Sequence, residues 1–308
     1  MPQERYRSLN DALQERFGEK IYKLSLNGGC TCPNRDGTLG SRGCIFCSAG
    51  GSGDFASSPA LTVTEQIEDA KRRLAGKRPV RHYIAYFQAY TNTYAPIEHL
   101  RRIFTEAISH PDVVVLSIAT RPDCLGPEVL DLLEDLNRKK PVWVELGLQT
   151  IHEETAALIR RGYPLSVYDE AMRQLRHRGI ETVVHAILGL PGETERMILD
   201  TVRYISDSGA DGVKLQLLHI LKGTDLASYY KETGFPVLTL EEYVDLVIRC
   251  LEVSRPNLVI HRLTGDGPKE LLIAPLWSQA KRQVLNTIHR ELKQRDTWQG
   301  RLYSCQTP

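Results

Sequence analysis

Short apolar runs alternate with amphipathic stretches along the first 220 residues of the chain. Runs rich in β-branched residues predict six buried strands, at residues 21–26, 82–87, 113–119, 142–148, 182–188 and 212–217. Between them, apolar residues at helical spacing predict helices at residues 64–74, 96–109, 127–137, 166–178 and 193–208. Strands that alternate with helices form a parallel sheet covered on both faces. With right-handed crossovers, such units curl into an open barrel or a doubly wound sheet.

The pattern changes after residue 220. Helices are predicted at residues 240–253 and 279–294, with a short strand at 258–262 and a Gly/Pro turn at 265–268 between them. The last segment, residues 269–308, carries seven Lys and Arg against three Asp and Glu. Such a segment is either a solvated helix face or a surface that contacts nucleic acid.

The composition excludes several classes of protein. The chain has 308 residues, with 39 Lys and Arg against 38 Asp and Glu, so no global field favours a polyanionic partner. No apolar run approaches the ~20 residues that a membrane helix needs. Residues 1–6 are polar, unlike a secretory signal. We therefore expect a cytoplasmic protein that does not associate with membranes.

Four of the seven cysteines, Cys30, Cys32, Cys44 and Cys47, lie close together after the first predicted strand. An odd number of cysteines without an export signal argues against a disulfide framework. Loops that follow strands lie at the functional end of a parallel α/β fold. Four thiolates could hold Zn²⁺, three could hold a [4Fe–4S] cluster with one open iron, or the thiols could be unligated. Spacing alone leaves these alternatives open.

Short motifs along the chain occur in the order known from one enzyme family. They lie at residues 32–38, 43–47, 85–94, 120–123, 145–149, 189–193, 218–224, 262–267 and 274–277. On these residues the chain resembles the radical S-adenosylmethionine (radical SAM) enzymes, in the branch that includes the YhcC-like proteins and the catalytic subunit of elongator. Eleven residues separate Cys32 from Cys44, whereas the commonest radical SAM motif is C-x₃-C-x₂-C. Long spacings are typical of this branch.

The resemblance implies a fold and a division of the chain. The expected fold class is α/β, a partial (β/α)6 TIM-like barrel with a small helical C-terminal extension. Residues 1–220 would form the radical SAM core, with a cluster loop at residues 28–53. Residues 221–308 would complete the barrel mouth, with residues 269–308 as a segment that contacts RNA.

The resemblance also implies two cofactors, a [4Fe–4S] cluster and SAM. Cys32, Cys44 and Cys47 would hold the cluster, and Cys30 would be a bystander because Cys32 is the cysteine that Pro-Asn-Arg-Asp-Gly follows. The open iron would bind the amino and carboxylate groups of SAM. One electron would then cleave SAM to methionine and a 5′-deoxyadenosyl radical. No residue is assigned to proton or hydrogen-atom transfer.

Further residues are expected to contact SAM at the ends of the second to fifth strands. They are Gln88, Ala89, Tyr90, Arg121, Glu145, Gln149, His185, Gly189, Pro191 and Gly192. Structural alternatives exist for several of them. The aromatic residues of the segment 86–90 could simply pack at the strand end. Glu145 could pair with Arg121, and His185 could occupy a core position. Residues 189–193 could serve only as a turn from strand to helix.

Alternating polar side chains predict which faces of the strands point to the site. Glu145 and Gln149 share one parity on the fourth predicted strand, and a charge within a buried strand needs a partner. Lys214 and Gln216 alternate in the same way on the sixth strand, with Lys222 nearby. We expect Lys214 and Gln216 to line the substrate end of the site, or one of the two lysines to form an ion pair.

The resemblance to the elongator subunit suggests the C5 side chain of a tRNA wobble uridine as the substrate. It also implies an electron donor such as ferredoxin or flavodoxin. Trp277 and Trp298 flank the basic terminal helix, where they would stack on bases or pack in the core. Two alternatives remain: a radical SAM enzyme that acts on a small molecule or a protein, and a non-catalytic, zinc-stabilised RNA-binding module.

Overall fold

The computed structural model describes residues 5–51, 53–54, 56–74, 80–265 and 267–304. Three residues singled out by the sequence lie outside this part: Ser52 of the predicted cluster loop, Asp266 of the 262–267 motif, and Cys305.

A curled parallel sheet forms the centre of the molecule. Its strands are β1 (Tyr22–Leu26), β2 (Tyr83–Phe87), β3 (Val113–Thr120), β4 (Val142–Gln149), β5 (Glu181–Leu188), β6 (Gly212–Leu217) and β8 (Val259–Arg262). They are hydrogen-bonded in the order β1-β2-β3-β4-β5-β6-β8, and every pair is parallel. The short strands β7 (Ile220–Leu221) and β9 (Leu272–Ala274) pair antiparallel beside it. This half-barrel confirms the predicted partial TIM-like barrel.

The helices cover the outside of the sheet and its lower end, which is the end at which the strands begin. They are α1 (Leu9–Phe17), α2 (Val63–Leu74), α3 (Ile97–Ser109), α4 (Pro127–Asn137), α5 (Glu153–Leu158), α6 (Leu165–His177), α7 (Glu195–Asp207), α8 (Asp225–Thr233), α9 (Leu240–Val253) and α10 (Lys281–Gln294). Apolar side chains of α3, α4, α6, α7 and α9 pack on the outward-facing residues of the strands in one continuous core. A layer of helices therefore buries the outer face of the half-barrel.

The prediction of six strands in the barrel is wrong, because the sheet of the described residues has seven. The short strand β8 adds to the edge of β6, and Val213 pairs with Ile260. The chain between β6 and β8 contains the short strand β7 and two helices, so the regular strand–helix repeat is interrupted there. The division at residue 220 stays a prediction, although one strand of the extension belongs to the same sheet as the core.

Helix α1 closes the lower end of the barrel. It begins with a capping box in which Ser8 and Asp11 bond each other's backbone N–H groups. Its buried residue Leu13 packs with the inward-facing Ile84, Val115 and Trp143. This apolar plug makes the interior of the barrel a closed-ended cavity.

Candidate functional site

A cavity of about 440 Å³ opens at the C-terminal ends of the strands, where the sites of parallel α/β proteins lie. The lining contains the three cysteines predicted as cluster ligands, Cys32, Cys44 and Cys47. Six of the residues predicted to contact SAM also line it: Gln88, Tyr90, Arg121, Glu145, Gln149 and His185. The fold thus brings together residues that lie as far apart in the chain as Cys32 and His185.

Local turns shape the loop that carries the cysteines. The backbone N–H groups of Arg35 and Cys47 donate to the carbonyl oxygens of Cys32 and Cys44, at 2.8 and 3.0 Å. The Arg35 guanidinium donates back to the carbonyl oxygens of Cys47 and Ser48, at 3.0 and 2.6 Å. The bonds of Arg35 thus join the segment that follows Cys32 to the segment around Cys47.

The side chain of Asn34 contacts Cys44, the middle one of the three cysteines. Its side-chain Nδ2 lies 2.7 Å from the carbonyl oxygen of Arg160 and 3.4 Å from Sγ of Cys44. A Cβ atom on Gly162 would lie 2.8 Å from Asn34 Oδ1, and Gly162 has a φ of +84°. Glycine at this position therefore permits both the left-handed backbone and the close approach of the asparagine.

Two arginines lie beside the cysteines. The Arg121 guanidinium lines the cavity and makes a bidentate pair with Asp123, at 2.9 and 2.7 Å. Burial raises the pKa of the Cys44 thiol to about 11, so the sulfur needs a metal or another positive charge to become a thiolate. Arg35 and Arg121 both lie close enough to the cysteines to interact with them electrostatically. Such an environment suits anionic thiolates bound to a metal.

The fourth clustered cysteine lies elsewhere. Cys30 is buried in the main hydrophobic core, with its Sγ 3.8 Å from the carbonyl oxygen of Gly28. Burial raises the pKa of its thiol to about 11. A four-cysteine zinc site would require Cys30 beside the other three, and the fold separates it from them. Cys250 is likewise buried, within α9.

Two of the predicted SAM-contacting residues have left-handed backbones at the rim of the cavity. Tyr90 has a φ of 59°, and its hydroxyl donates to the carbonyl oxygen of Ala49 at 2.7 Å. Gln149 has a φ of 69°, and its buried Oε1 has no hydrogen-bond partner among the described residues. Residues other than glycine rarely adopt this conformation, which is concentrated at functional sites. The unpartnered amide oxygen of Gln149 fits a ligand that donates a hydrogen bond.

Four predicted SAM-contacting residues do not belong to the described lining of this cavity. Ala89 is buried behind Tyr90 and abuts Gly53. Gly189, Pro191 and Gly192 form the turn between β5 and α7, where Gly189 packs against Leu238. Their contact with SAM stays a prediction.

One polar side chain from each of the first six strands points to the bottom of the cavity. We name this layer the polar floor; its members are Lys23, Tyr86, Ser117, Glu145, His185 and Lys214. Tyr86, Glu145, His185 and Lys214 line the cavity directly, together with Gln216 and Arg262. Below the polar floor lies the apolar plug around Leu13 and Trp143.

Glu145 is the centre of the polar floor and is fully buried. Its Oε1 accepts from Lys23 Nζ and Ser117 Oγ, each at 2.7 Å. Its Oε2 accepts from His185 Nε2 at 2.8 Å and from Lys214 Nζ. The alternative of an ion pair with Arg121 is therefore wrong, because that arginine bonds Asp123. Contact of Glu145 or His185 with SAM stays a prediction, although both oxygens of this carboxylate already have partners.

Burial and mutual charge set the protonation of the polar floor. Burial alone would raise the pKa of Glu145, but the charges of Lys214 and Lys23 hold it well below its ordinary value. Burial lowers the pKa of Lys214 to about 7, despite the attraction of Glu145. Burial and the charge of Lys214 lower the pKa of His185 to about 4. His185 is thus neutral near pH 7 and donates its Nε2–H to the carboxylate.

Sequence reasoning identified Lys214 and Gln216 as lining the substrate end, and both line the cavity. It missed Lys23, Ser117 and Arg262. The signal was available for Lys23 and Ser117, since each is a polar residue within an apolar run and has the parity of an inward-facing position. Arg262 instead shares its parity with the core residue Ile260, and a register shift between β6 and β8 pairs it with Lys214. Lys222 is exposed and is not among the described residues of the lining.

The basic C-terminal segment lies on the outer side of the fold. Helix α10 buries Val284, Ile288 and Leu292 and packs on α9. Its basic residues Arg282 and Lys293 are exposed. Trp277 packs on Tyr243, and its indole N–H donates to the Leu238 carbonyl at 3.0 Å, whereas Trp298 is 47% exposed. Of the two tryptophans, Trp298 has the exposed ring that stacking requires. Within the described residues, no helix combines the length and the apolar character required to cross a membrane.

Comparison with known proteins gives two family profiles and two close relatives. The Radical SAM superfamily profile matches residues 35–205, and the Radical SAM C-terminal domain profile matches residues 210–294. The uncharacterized protein YtqA of Bacillus subtilis is 46% identical over 98% of this chain and 94% of its own length. Protein YhcC of Escherichia coli is 36% identical over 92% of this chain and 90% of its own length.

More distant similarities extend to longer proteins. The tRNA uridine(34) acetyltransferase of Dehalococcoides mccartyi is 27% identical over 58% of this chain and 40% of its own length. The structure of Methanocaldococcus infernus Elp3 with an N-terminal deletion has a TM-score of 0.68 at 16% identity, and the match covers 91% of this chain and 64% of that one. The matched profiles and close relatives confirm the resemblance noted in the sequence: the chain belongs to the radical SAM superfamily of enzymes.

Proposed function

We propose that this protein cleaves SAM reductively at a [4Fe–4S] cluster held by Cys32, Cys44 and Cys47, and that it modifies a tRNA uridine in the cytoplasm. One observation carries the first part. The three cysteines line a single cavity with Arg35 and Arg121, whereas Cys30 is buried in the core. Membership of the radical SAM superfamily implies both the cluster and SAM as cofactors.

The residues of the cavity fit these cofactors. When bound, the cluster supplies one electron to SAM and so yields methionine and a 5′-deoxyadenosyl radical. Arg121 provides a positive charge for a carboxylate group, and the orphaned Oε1 of Gln149 provides an acceptor for a ribose hydroxyl. Carbonyl oxygens of the Gln88–Tyr90 segment provide acceptors for an amino group. The apolar plug closes the other end of the barrel, so water can reach the site only from the cysteine end.

Distant homology and local charge support tRNA as the substrate. The relative from Dehalococcoides mccartyi is named for uridine 34 of tRNA. In this chain, α10 presents Arg282 and Lys293 to solvent, and Trp298 offers an exposed ring nearby in the sequence. Basic side chains beside an aromatic ring are suited to the phosphates and bases of RNA. The reductant would be a ferredoxin or flavodoxin.

Release of 5′-deoxyadenosine tests the first part of the proposal. Anaerobically reconstituted protein with SAM and a strong reductant should release 5′-deoxyadenosine and methionine. The Gln149→Ala variant should bind SAM more weakly while its iron content stays normal, because Gln149 is not a cluster ligand. The Gln14→Ala variant, changed on the exposed face of α1, is the matched control. A colourless protein that holds one zinc ion would contradict the proposal.

Nucleoside analysis tests the second part. Transfer RNA from cells that lack the protein should have lost a modified uridine. Charge reversal of Lys281, Arg282 and Lys293 to Glu should weaken tRNA binding and flatten its salt dependence, by roughly 0.7–0.9 in slope for each phosphate that the variant no longer neutralises. Reversal of Arg101, Lys139 and Arg196, which are exposed on other helices or loops, is the control. Unchanged tRNA nucleosides would point to a small-molecule or protein substrate instead.

A further inference from the structure

Tyr90 joins the end of strand β2 to the last part of the cluster loop. Its backbone N–H donates to the carbonyl oxygen of Gly51 at 2.8 Å, and its phenol hydroxyl donates to the carbonyl oxygen of Ala49 at 2.7 Å. These two acceptors follow the predicted ligand Cys47 by four and two residues. One residue thus holds the backbone of residues 49–51 with both its main chain and its side chain.

The ring of Tyr90 contacts two separate parts of the cluster loop. The Arg35 guanidinium, which belongs to the segment after Cys32, lies 5.7 Å from the ring centroid, within the range of a cation–π interaction. Gly51 lies directly against the ring, because a Cβ atom at this position would overlap it. Gly51 also has a φ of +60°, so glycine is required here for two reasons. The Tyr90 ring therefore packs against the segments that follow Cys32 and Cys47.

The backbone of Tyr90 is in a conformation that its own side chain disfavours. Its φ is 59°, and such a left-handed backbone persists in a residue other than glycine only when the surrounding structure over-determines it. The bonds to Ala49 and Gly51 and the contact with Arg35 supply that constraint. The same backbone sets the direction of the carbonyl oxygens of the Gln88–Tyr90 segment, which are the proposed acceptors for the SAM amino group. The direction of these carbonyl groups therefore depends on the position of the cluster loop.

We propose that Tyr90 is a positioning residue that couples the two cofactor sites, because it transmits the position of the cysteine-bearing loop to the backbone that holds SAM. This inference rests on the proposed cleavage of SAM at a cluster, and it is independent of the identity of the substrate. With Cys47 bound to the cluster, residues 49–51 hold Tyr90 in place, and Tyr90 presents the carbonyl oxygens. Coupling between two sites is reciprocal, so bound SAM should also protect the cluster from a chelator.

The SAM affinity of the reconstituted protein tests the proposal, measured anaerobically by calorimetry and expressed per bound cluster. Tyr90→Phe removes only the bond to Ala49, and it should weaken SAM binding about fivefold, the effect of one lost hydrogen bond. Its control is Tyr94→Phe. This change also removes a hydrogen bond to the cluster loop, that of the Tyr94 hydroxyl to the Thr38 hydroxyl at 2.9 Å, and it should leave the SAM affinity unchanged.

A variant on the loop side tests the same coupling without any change in the segment that would hold SAM. Gly51→Ala should displace the Tyr90 ring and weaken SAM binding at least as much as Tyr90→Phe does. Gly37→Ala is its control, because Gly37 has a φ of +95° in the same loop, but a Cβ atom there would meet no described atom within 4 Å. This control should bind SAM as the parent protein does.

Iron content separates a positioning role from a purely structural one. The expected result is weaker SAM binding at normal iron content, with less protection of the cluster by SAM against a chelator. The proposal is overturned if Tyr90→Phe and Gly51→Ala bind SAM as the parent does, or if the two controls weaken binding equally. It is also overturned if the variants lose iron while the remaining cluster-bound protein keeps its SAM affinity. Failure of the parent itself to hold a cluster or bind SAM would instead overturn the proposed function.

Discussion

The cysteine loop and the polar floor form the two ends of one cavity, yet different kinds of structure build them. The polar floor consists of strand residues whose inward direction follows from the alternation of side chains. The cysteine loop has no such regularity and is shaped by individual bonds, such as those of Asn34 to Arg160 and Cys44. The loop should therefore depend on single contacts, whereas the polar floor should depend on its charge balance.

The largest expected effect is the loss of the cluster when one of its proposed cysteine ligands is replaced. Alanine at Cys32, Cys44 or Cys47 should abolish the brown colour and the bound iron, because three thiolates are the minimum for the proposed cluster. Cys30→Ala is the matched control and should retain both, since this side chain lies in the core. Visible absorbance and iron analysis measure the result. Loss of colour in Cys30→Ala would show that the ligand assignment is wrong.

A second experiment tests whether the loop depends on single contacts. Gly162→Ala should lower the stability by more than the ~1 kcal/mol that a left-handed alanine costs, because its Cβ would meet Asn34 Oδ1. Gly179→Ala also has a positive φ but meets no atom within 4 Å, so it should show the backbone cost alone. Anaerobic urea unfolding measures both variants. Equal decreases in stability would mean that the contact with Asn34 is unimportant.

A titration tests the charge balance of the polar floor. In protein with ¹³C-labelled lysine, one resonance should titrate near pH 7, well below the ordinary lysine range, because burial lowers the pKa of Lys214 to about 7. Lys214→Met should remove that resonance. Glu145→Gln should move its midpoint to lower pH, since the attraction of the carboxylate, which raises the pKa, is gone. A midpoint that moves upward would contradict the described network.

The smallest expected effect concerns the potential of the cluster. Asn34→Leu should shift the midpoint reduction potential of the cluster to more negative values. An N–H donor near a ligand sulfur stabilises the reduced cluster, which carries the larger negative charge, and the variant lacks this donor. Asn137→Leu is the control, since its side chain bonds Gly179 on the far surface. Redox titration followed by electron paramagnetic resonance measures the shift. An unchanged potential would assign Asn34 a purely structural role.

The regular part of the barrel was largely predictable. The predicted strand at residues 212–217 and helix at residues 127–137 coincide with β6 and α4. Strand β8 was predicted as an element but not as part of the barrel, because a local pattern does not specify which edge a strand joins. Helices α1, α5 and α8 were not predicted; α1 has few apolar positions and obtains its stability from the barrel end that it plugs.

By itself, the sequence determined the cysteine motif, the order of strands and helices, and the inward parity of residues such as Glu145 and Lys214. These properties follow from chemistry and periodicity within short segments. Only the tertiary structure decided that Glu145 pairs with Lys23 and Lys214 rather than with Arg121, and that Cys30 lies in the core. Partners from different strands depend on the curvature and stagger of the whole sheet, which no segment encodes alone.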